Sequence, residues 1–233
     1  MKALGIVAAL GAEARALRGA RRVRAGVAAL ADGANVIVGG IGPAAAERAA
    51  RVLADAGATA LVSWGVAGGL DADLCAGAIL LPVEILAEDG RRFATTPAWR
   101  ERQHAALAAH HRIASGALLS RATAIGGAAA KATARRMSGA VAVDMESAAI
   151  AGVAAARRLP FLAVRVVVDA ADDELPRAIV DASRGGRLRA WRLAAGILRS
   201  PRDLHGLLRL ARRFGIACRT LADIAHTGLA PPP

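Results

Sequence analysis

The sequence predicts a layered α/β protein, a doubly wound, Rossmann-like fold of three layers, followed by a helical C-terminal extension. Apolar runs of strand length alternate with helical stretches between residues 3 and 168. These runs are apolar throughout, which is typical of strands covered on both faces of a sheet. Of the 233 residues 55% are hydrophobic, yet only 3% are aromatic and none is tyrosine. A core of aliphatic side chains favours this class over an aromatic-rich β-sandwich.

Seven strands and two helices follow from the pattern. The strands are predicted at residues 3–10, 35–38, 60–66, 78–83, 117–119, 141–143 and 161–168. A helix over 43–56 has Pro43 in its first turn and Gly57 as its stop. A second helix, over 145–158, ends before Pro160. The first run is also compatible with a short signal peptide, and that alternative stays open at this point.

The composition changes near residue 184. Eight of the twelve net positive charges fall in residues 184–233, which predicts an Arg-rich helical extension behind a domain of residues 1–183. Ser200 and Pro201 suit a helix start, and Gly215 suits a stop. Between them leucines and arginines fall on opposite faces. This basic amphipathic helix either packs its leucines on the domain or lies on a membrane surface.

Several classes of protein are excluded or disfavoured by composition. The longest stretch without a charged residue, between Asp55 and Asp71, is shorter than the roughly 18 residues of a spanning helix. Cys75 and Cys218 form no metal-binding or disulfide pattern, so we expect no metal site and a reducing, cytoplasmic setting. The high net charge raises the alternative of a nucleic-acid-binding protein. The scarcity of aromatic residues and the position of the charge in one tail argue against it.

Acidic residues at two strand ends are the strongest signal of function. Asp144 and Glu146 follow an apolar strand and precede an alanine-rich helix, and Asp169 follows another apolar strand. Charges at such partly buried junctions are costly unless they bind a ligand or a partner. Ligands of open α/β sheets bind at these strand ends. Asp144 either contacts substrate or pairs with an arginine. The glycine-rich turn at residues 39–42 is suited either to an anion or to tight packing.

Five ordered motifs resemble one enzyme family. They are V-D-M-E-S-A-A-I-A from Val143, R-V-V-V-D-A-A-D from Arg165, G-I-V-A-A-L-G-A-E-A from Gly5, V-G-G-I-G-P from Val38 and W-G-V-A-G-G-L from Trp64. Together they resemble the purine nucleoside phosphorylases and the methylthioadenosine/S-adenosylhomocysteine nucleosidases. The resemblance implies the nucleoside phosphorylase fold with its mixed central sheet. The D-M-E-S form and the Arg-rich extension are most similar to hopanoid-associated phosphorylases.

The resemblance implies seven site residues, which are Glu13, Val66, Gly68, Ile125, Met145, Glu146 and Asp169. Asp169 would protonate the purine or hydrogen-bond to it at N7, and Glu146 would bind the ribose hydroxyls. Glu13 would lie near the nucleophile. Met145 would lie against the sugar, and the backbone around Ile125 would face the base. An acid at the base and carboxylates near the sugar suit a reaction that builds negative charge on the purine and positive charge on the ribose.

Three positions depart from the family pattern. Val66 stands where Ser or Thr is common, Ser63 where the phosphorylases have Arg, and Ala124 where the nucleosidases have Phe. The usual phosphate site is therefore incomplete, and Glu13 is typical of the hydrolytic branch. Candidate phosphate ligands are Arg15, Arg18 and Lys131, although a solvent-exposed helix position is the commoner explanation for Lys131.

The resemblance implies an enzyme without a cofactor that uses phosphate or water as co-substrate. The expected reaction is phosphorolysis of adenosylhopane with release of adenine, and the alternative is hydrolysis by a methylthioadenosine/S-adenosylhomocysteine-type nucleosidase. A nucleoside-binding module without catalysis is a further alternative. The expected partners are a purine nucleoside, including a lipid-linked one, and further copies of the chain. A lipid-linked substrate would bring residues 200–214 to the inner membrane face. We expect no nucleic-acid partner.

Overall fold

The computed structural model describes residues 3–17, 27–30, 33–176, 179–180 and 203–233. These residues form one mixed β-sheet with helices on both faces, so the predicted α/β class is confirmed. The predicted boundary between residues 183 and 184 lies outside the described residues, as do Ser200 and Pro201 at the predicted helix start.

The described strands are β1 (Leu4–Ala8), β2 (Val27–Ala29), β3 (Asn35–Val38), β4 (Ala60–Gly69), β5 (Ile79–Leu80), β6 (Glu84–Ala87), β7 (Arg92–Ala94), β8 (Ile113–Ala114), β9 (Ala117–Ser120), β10 (Ala142–Asp144) and β11 (Phe161–Asp169). The described helices are α1 (Gly11–Arg15), α2 (Pro43–Asp55), α3 (Pro97–Ala108), α4 (Ala128–Ser138), α5 (Ser147–Ala156) and α6 (Asp203–Thr227). All seven predicted strands are present, six of them with shifted ends, whereas β2, β6, β7 and β8 were not predicted. The first run is a buried strand at the centre of the sheet.

Strand β4 pairs with three other strands of the sheet. It pairs in parallel with β1 and β11 and antiparallel with β10, which makes the sheet mixed. A β-bulge interrupts β11 between Val167 and Asp169, and Asp169 lies opposite Gly68 of β4. Bulges of this kind redirect a side chain at the end of a strand. The functional groups described below gather at the carboxyl-terminal half of β4.

The two faces of the sheet have separate aliphatic cores. Helices α2 and α5 cover one face with small residues such as Ala46, Ala50 and Ala151. On the other face, α6 contributes Leu221 and Ile224 to the second core. Burial on both faces explains why the strands are apolar along their whole length. Among the described residues, no helix is long and apolar enough to cross a membrane.

Helix α6 corrects the prediction for the C-terminal segment. The helix does not end at Gly215 but continues to Thr227, because Leu221 and Ile224 in its second half pack into the core and hold that half in place. In the first half, Leu207 and Phe214 are half-buried, whereas Leu208 is 61% exposed. The predicted leucine face is therefore only partly covered.

Candidate active site

Glu13 is a buried carboxylate that the backbone holds from two sides. The short helix α1 follows β1 and turns Glu13 back toward the strand end. One oxygen accepts hydrogen bonds from the N–H groups of Ala9 and Leu10 at 3.0 and 2.8 Å, and the other accepts from Val66 N–H at 3.1 Å. Burial raises the pKa of Glu13, and the nearby Arg165 and these hydrogen bonds oppose the rise. The group is therefore fixed in orientation and suited to exchange a proton.

Arg165 is a buried arginine in the apolar strand β11, and no role was predicted for it from the sequence. Its Nη2 donates to Oδ2 of Asp144 at 2.7 Å, to Ser63 Oγ at 2.6 Å and to Ser147 Oγ at 2.9 Å. Asp144 thus pairs with an arginine, which decides between the two readings of that residue. A single charge within F-L-A-V-R-V-V-V was the available signal, because a buried charge needs a partner.

Glu146 precedes α5, but its carboxylate binds at the start of α2. Its Oε1 accepts a hydrogen bond from Gly42 N–H at 2.8 Å, at the start of α2, and Met145 N–H lies 3.3 Å from Oε2. Burial raises the pKa of Glu146 to about 7, and the neighbouring negative charge of Asp144 adds to the rise while Arg165 opposes it. The anion that the glycine-rich turn attracts is thus a carboxylate of the chain itself.

The three carboxylates and Arg165 form one cluster beside β4. Gly65 is the point of closest approach, because a Cβ at this residue would lie 2.6 Å from Glu13 Oε1 and 2.9 Å from Arg165 Nη1. Only glycine leaves room there for both charged groups. The described residues of this cluster, Glu13, Asp144, Glu146 and Arg165, carry more negative than positive charge when ionised.

Asp169 forms a second centre at the other end of the site. It is 3% exposed, and its carboxyl group lies over Gly68, where a Cβ would be 3.2 Å from Oδ1 and 3.4 Å from Oδ2. Its Oδ2 accepts a short hydrogen bond from Lys131 of α4. Burial raises the pKa of Asp169, and the positive charge of Lys131 opposes the rise. A carboxyl group with a raised pKa is suited to act as an acid.

Lys131 contradicts the expectation of an exposed helix lysine. It is fully buried, and its ammonium group donates to Asp169 and, at 2.6 Å, to the carbonyl of Ala170. An ammonium that already donates to Asp169 and to the carbonyl of Ala170 is a poor phosphate ligand. Of the other candidate phosphate ligands, Arg15 is exposed on α1, and Arg18 lies outside the described residues.

The other predicted site residues are Val66, Met145 and Ile125. Val66 contributes its N–H to Glu13, as described above. Met145 lines a cavity of about 730 Å³ between α2 and α5, and this cavity contacts neither Glu13 nor Asp169. The Ile125 side chain is buried in a small apolar cluster, and the carbonyl of the adjacent Gly126 accepts a hydrogen bond from Leu175 N–H at 2.7 Å. The backbone near Ile125 is therefore covered by the loop that follows Asp169.

Strand β11 links the two centres. Arg165 and Asp169 are four residues apart on this strand, which corresponds to about 13 Å at most at about 3.3 Å per residue. One end offers carboxylates held near a guanidinium, and the other offers an acid. Within the described residues no cluster of His, Cys, Asp and Glu is suited to hold a metal ion.

Comparison with known proteins identifies the family of the chain and proteins of similar fold. The family model described as "Phosphorylase superfamily" matches residues 5–199. The structure is similar to that of 5′-methylthioadenosine/S-adenosylhomocysteine nucleosidase from Neisseria meningitidis in complex with methylthio-immucillin-A, with 22% identity, a TM-score of 0.69 and coverage of 96% of this chain and 98% of that one. A search of curated proteins gave no match.

Two Helicobacter pylori proteins have the same fold. A variant of the 5′-methylthioadenosine/S-adenosylhomocysteine nucleosidase with 5′-methylthioadenosine in the active site gives 14% identity, a TM-score of 0.69 and coverage of 97% of this chain and 99% of that one. Futalosine hydrolase gives 18% identity, a TM-score of 0.66 and coverage of 87% and 97%. These similarities confirm the predicted fold with its mixed sheet.

Proposed function

Because the chain belongs to the phosphorylase superfamily, we propose that it cleaves the N-glycosidic bond of a purine nucleoside. Membership of this superfamily also confirms the prediction of an enzyme. The observation that carries the proposal is the pair of buried centres joined by β11, with Glu13 and Glu146 at one end and Asp169 at the other. The nucleosidases of similar fold act on substrates with the same two ends, a sugar and a purine.

The chemistry divides between the two centres. As the bond from C1′ to N9 breaks, its electron pair moves to the purine, and Asp169 donates a proton to N7 to neutralise that charge. The carboxylates of Glu13 and Glu146 stabilise the positive charge that develops on the ribose. Glu13 accepts a proton from the attacking water, whose oxygen bonds to C1′. Arg165 holds Asp144 and the two serines in place, so that this end keeps its shape.

Water is the acceptor that the charges favour. In the cluster beside β4, Arg165 is already paired with Asp144, and Glu13 and Glu146, when they are ionised, repel a phosphate dianion. The N–H of Gly42, at the helix start where a phosphate would be expected to bind, already donates to Glu146. Ser63 and Ser147 are likewise engaged with Arg165. Phosphorolysis, which the sequence resemblance implied, stays a prediction.

The substituent at the 5′ carbon is the finer part of the proposal. The D-M-E-S motif and the Arg-rich C-terminal segment support adenosylhopane, whose lipid part favours a membrane by about 0.8 kcal/mol for each buried CH₂. The exposed Leu208 lies beside Arg209 and Arg212 on α6, a combination that supports contact with an anionic membrane surface. Assembly into oligomers also stays a prediction.

A product assay tests the proposal. The purified chain is incubated with adenosylhopane and with methylthioadenosine, each with and without phosphate, and the base and the sugar are identified by mass spectrometry. We expect adenine with a free sugar, and Asp169→Asn as the inactive control. A sugar 1-phosphate would establish phosphorolysis. Binding of a nucleoside without release of base would contradict the proposal and favour the non-catalytic binding module.

The alternative of a nucleic-acid-binding protein has less support. The described tryptophans, Trp64 and Trp99, are fully buried in the core and offer no surface on which bases can stack. The family match provides no reason to retain this alternative ahead of the nucleosidase.

A further inference from the structure

Lys131 is a buried cation for which the mechanism described above has no use. The chain has only two lysines, and this one lies on α4 with its side chain 1% exposed. Its ammonium group donates to Asp169 Oδ2 and, at 2.6 Å, to the carbonyl of Ala170. Burying an ammonium is unfavourable unless a partner compensates for the lost water. Lys131 therefore forms a buried pair with the residue that serves as the acid of the site.

The ion pair distinguishes the two oxygens of Asp169. Lys131 donates to Oδ2, and the carboxyl group lies over Gly68, where a Cβ would be 3.2 Å from Oδ1 and 3.4 Å from Oδ2. The bulge in β11 immediately before Asp169 turns the carboxyl group toward this position. The ammonium thus holds the carboxyl group by Oδ2 and limits its rotation.

Four further charged residues lie near Asp169. Asp173, in the loop after β11, pairs with Arg213 of α6, and both act on the charge of Asp169. Glu174 and Arg209 line a small cavity that Asp169 also lines. Burial raises the pKa of Asp169 most strongly, Lys131 is the largest opposing influence, Asp173 adds to the rise and Arg213 opposes it. Loss of the Lys131 charge is therefore expected to raise this pKa further.

We propose that Lys131 is a positioning residue for the acid Asp169: it holds Oδ2 of the carboxyl group, so that Oδ1 faces the purine. The inference rests on the proposed cleavage of a purine nucleoside, since it assigns the proton of Asp169 to N7. Lys131 itself contacts neither base nor sugar in this scheme. The proton leaves Oδ1, and the resulting carboxylate is stabilised by the ammonium until water protonates it again.

The test is the pH profile of kcat/KM for base release. Activity falls at alkaline pH when Asp169 loses its proton, so a higher pKa moves this limb to higher pH. In Lys131→Met we expect the limb to rise by about one pH unit or more, and kcat at the optimum to fall about tenfold. Lys131→Gln keeps a hydrogen-bond donor without the charge. We therefore expect its alkaline limb to move as far as that of Lys131→Met, and its kcat to fall less. Lys131→Arg keeps the charge and is expected to leave the limb in place.

The matched control is Arg135→Met on the same helix. Arg135 pairs with the partly exposed Asp71, away from Asp169, so the pH profile is expected to match that of the wild type. Superimposable profiles for Lys131→Gln and the wild type would overturn the inference. A limb that moves equally in Arg135→Met would also overturn it, because a general effect on the fold would then suffice. If Lys131→Met does not fold, Lys131→Gln alone decides.

A second measurement separates this inference from the proposed function. Thermal unfolding of Lys131→Gln, Asp169→Asn and the double variant forms a cycle that reports the coupling of the pair without any substrate. If the wild type releases no base but the cycle shows coupling, the proposed function fails and the ion pair stands as a structural feature only, which overturns the catalytic part of the inference. If base is released but the two single effects add, the pairing itself is contradicted.

Discussion

Glu146→Gln removes a charge that the folded chain holds at a cost. The pKa of Glu146 rises from 4.5 to about 7 on burial, and each pKa unit corresponds to about 1.4 kcal/mol, so the ionised group destabilises the fold by about 3 kcal/mol. Because the folded pKa is raised, the favourable contribution of Glu146 is complete below pH 4.5 and is lost as the pH rises through about 7. Glutamine has nearly the same shape and no charge.

The expected result depends on pH. The amide oxygen can still accept from Gly42 N–H, whereas the longer 3.3 Å contact with Met145 N–H is lost, at about 1 kcal/mol. Near pH 8.5 we therefore expect the variant to be about 2 kcal/mol more stable than the wild type. Near pH 4, where Glu146 is protonated, the variant is expected to be equally stable or about 1 kcal/mol less stable. A site that loses stability to hold this charge is consistent with a catalytic role.

Urea unfolding followed by tryptophan fluorescence measures this difference, with the free energy of unfolding compared between variant and wild type at each pH. Glu47→Gln is the matched control, because Glu47 forms only an exposed pair with Arg51 on α2 and should give a small, flat difference. A constant difference in the free energy of unfolding between Glu146→Gln and the wild type from pH 4 to 9 would refute the reasoning.

In the base-release assay the same variant should raise KM and lower kcat together, since the ribose contacts tighten in the transition state.

Three further changes test other parts of the site. Asp169→Asn should fold normally and release base at least about 10²-fold more slowly, and near-normal turnover would remove Asp169 from the chemistry. Arg165→Met should lower the free energy of unfolding by about 3–5 kcal/mol, because it leaves Asp144 buried without its partner; a loss below about 1 kcal/mol would show that the pair is not buried in solution. Leu208→Asp should weaken flotation with anionic liposomes while cleavage of a soluble nucleoside is unchanged, and the membrane proposal fails if the wild-type protein does not float at low salt.

The local pattern of the sequence was sufficient for the main elements of the fold. Strands covered on both faces are apolar along their length, and β3 was predicted with the bounds that the structure has. The strand-end acids Glu146 and Asp169 were visible because each interrupts an apolar or alanine-rich stretch. Short edge strands such as β7, with an exposed Arg92, carry no such signal, since their stability comes from pairing with a neighbour.

Contacts between distant segments decided what the charged residues do. Lys131 has the same helical context as its exposed neighbours on α4, and its contacts with Asp169 and Ala170, which are distant in the chain, are set only by the tertiary structure. Arg165 meets Asp144 and Ser63 because β11 and β10 both flank β4. The continuation of α6 past Gly215 likewise depends on a core surface that receives Leu221.

The physical reason for this division is the range of the interactions. Hydrophobic periodicity and the residues that begin or end helices act over a few positions, so the sequence by itself determined the fold class, most strands and the acids at the strand ends. Burial, charge pairing and the raised pKa values depend on groups that are far apart in the chain and are brought together only by the sheet. The tertiary structure therefore decided which acid is paired, which cation is buried and which oxygen of Asp169 binds Lys131.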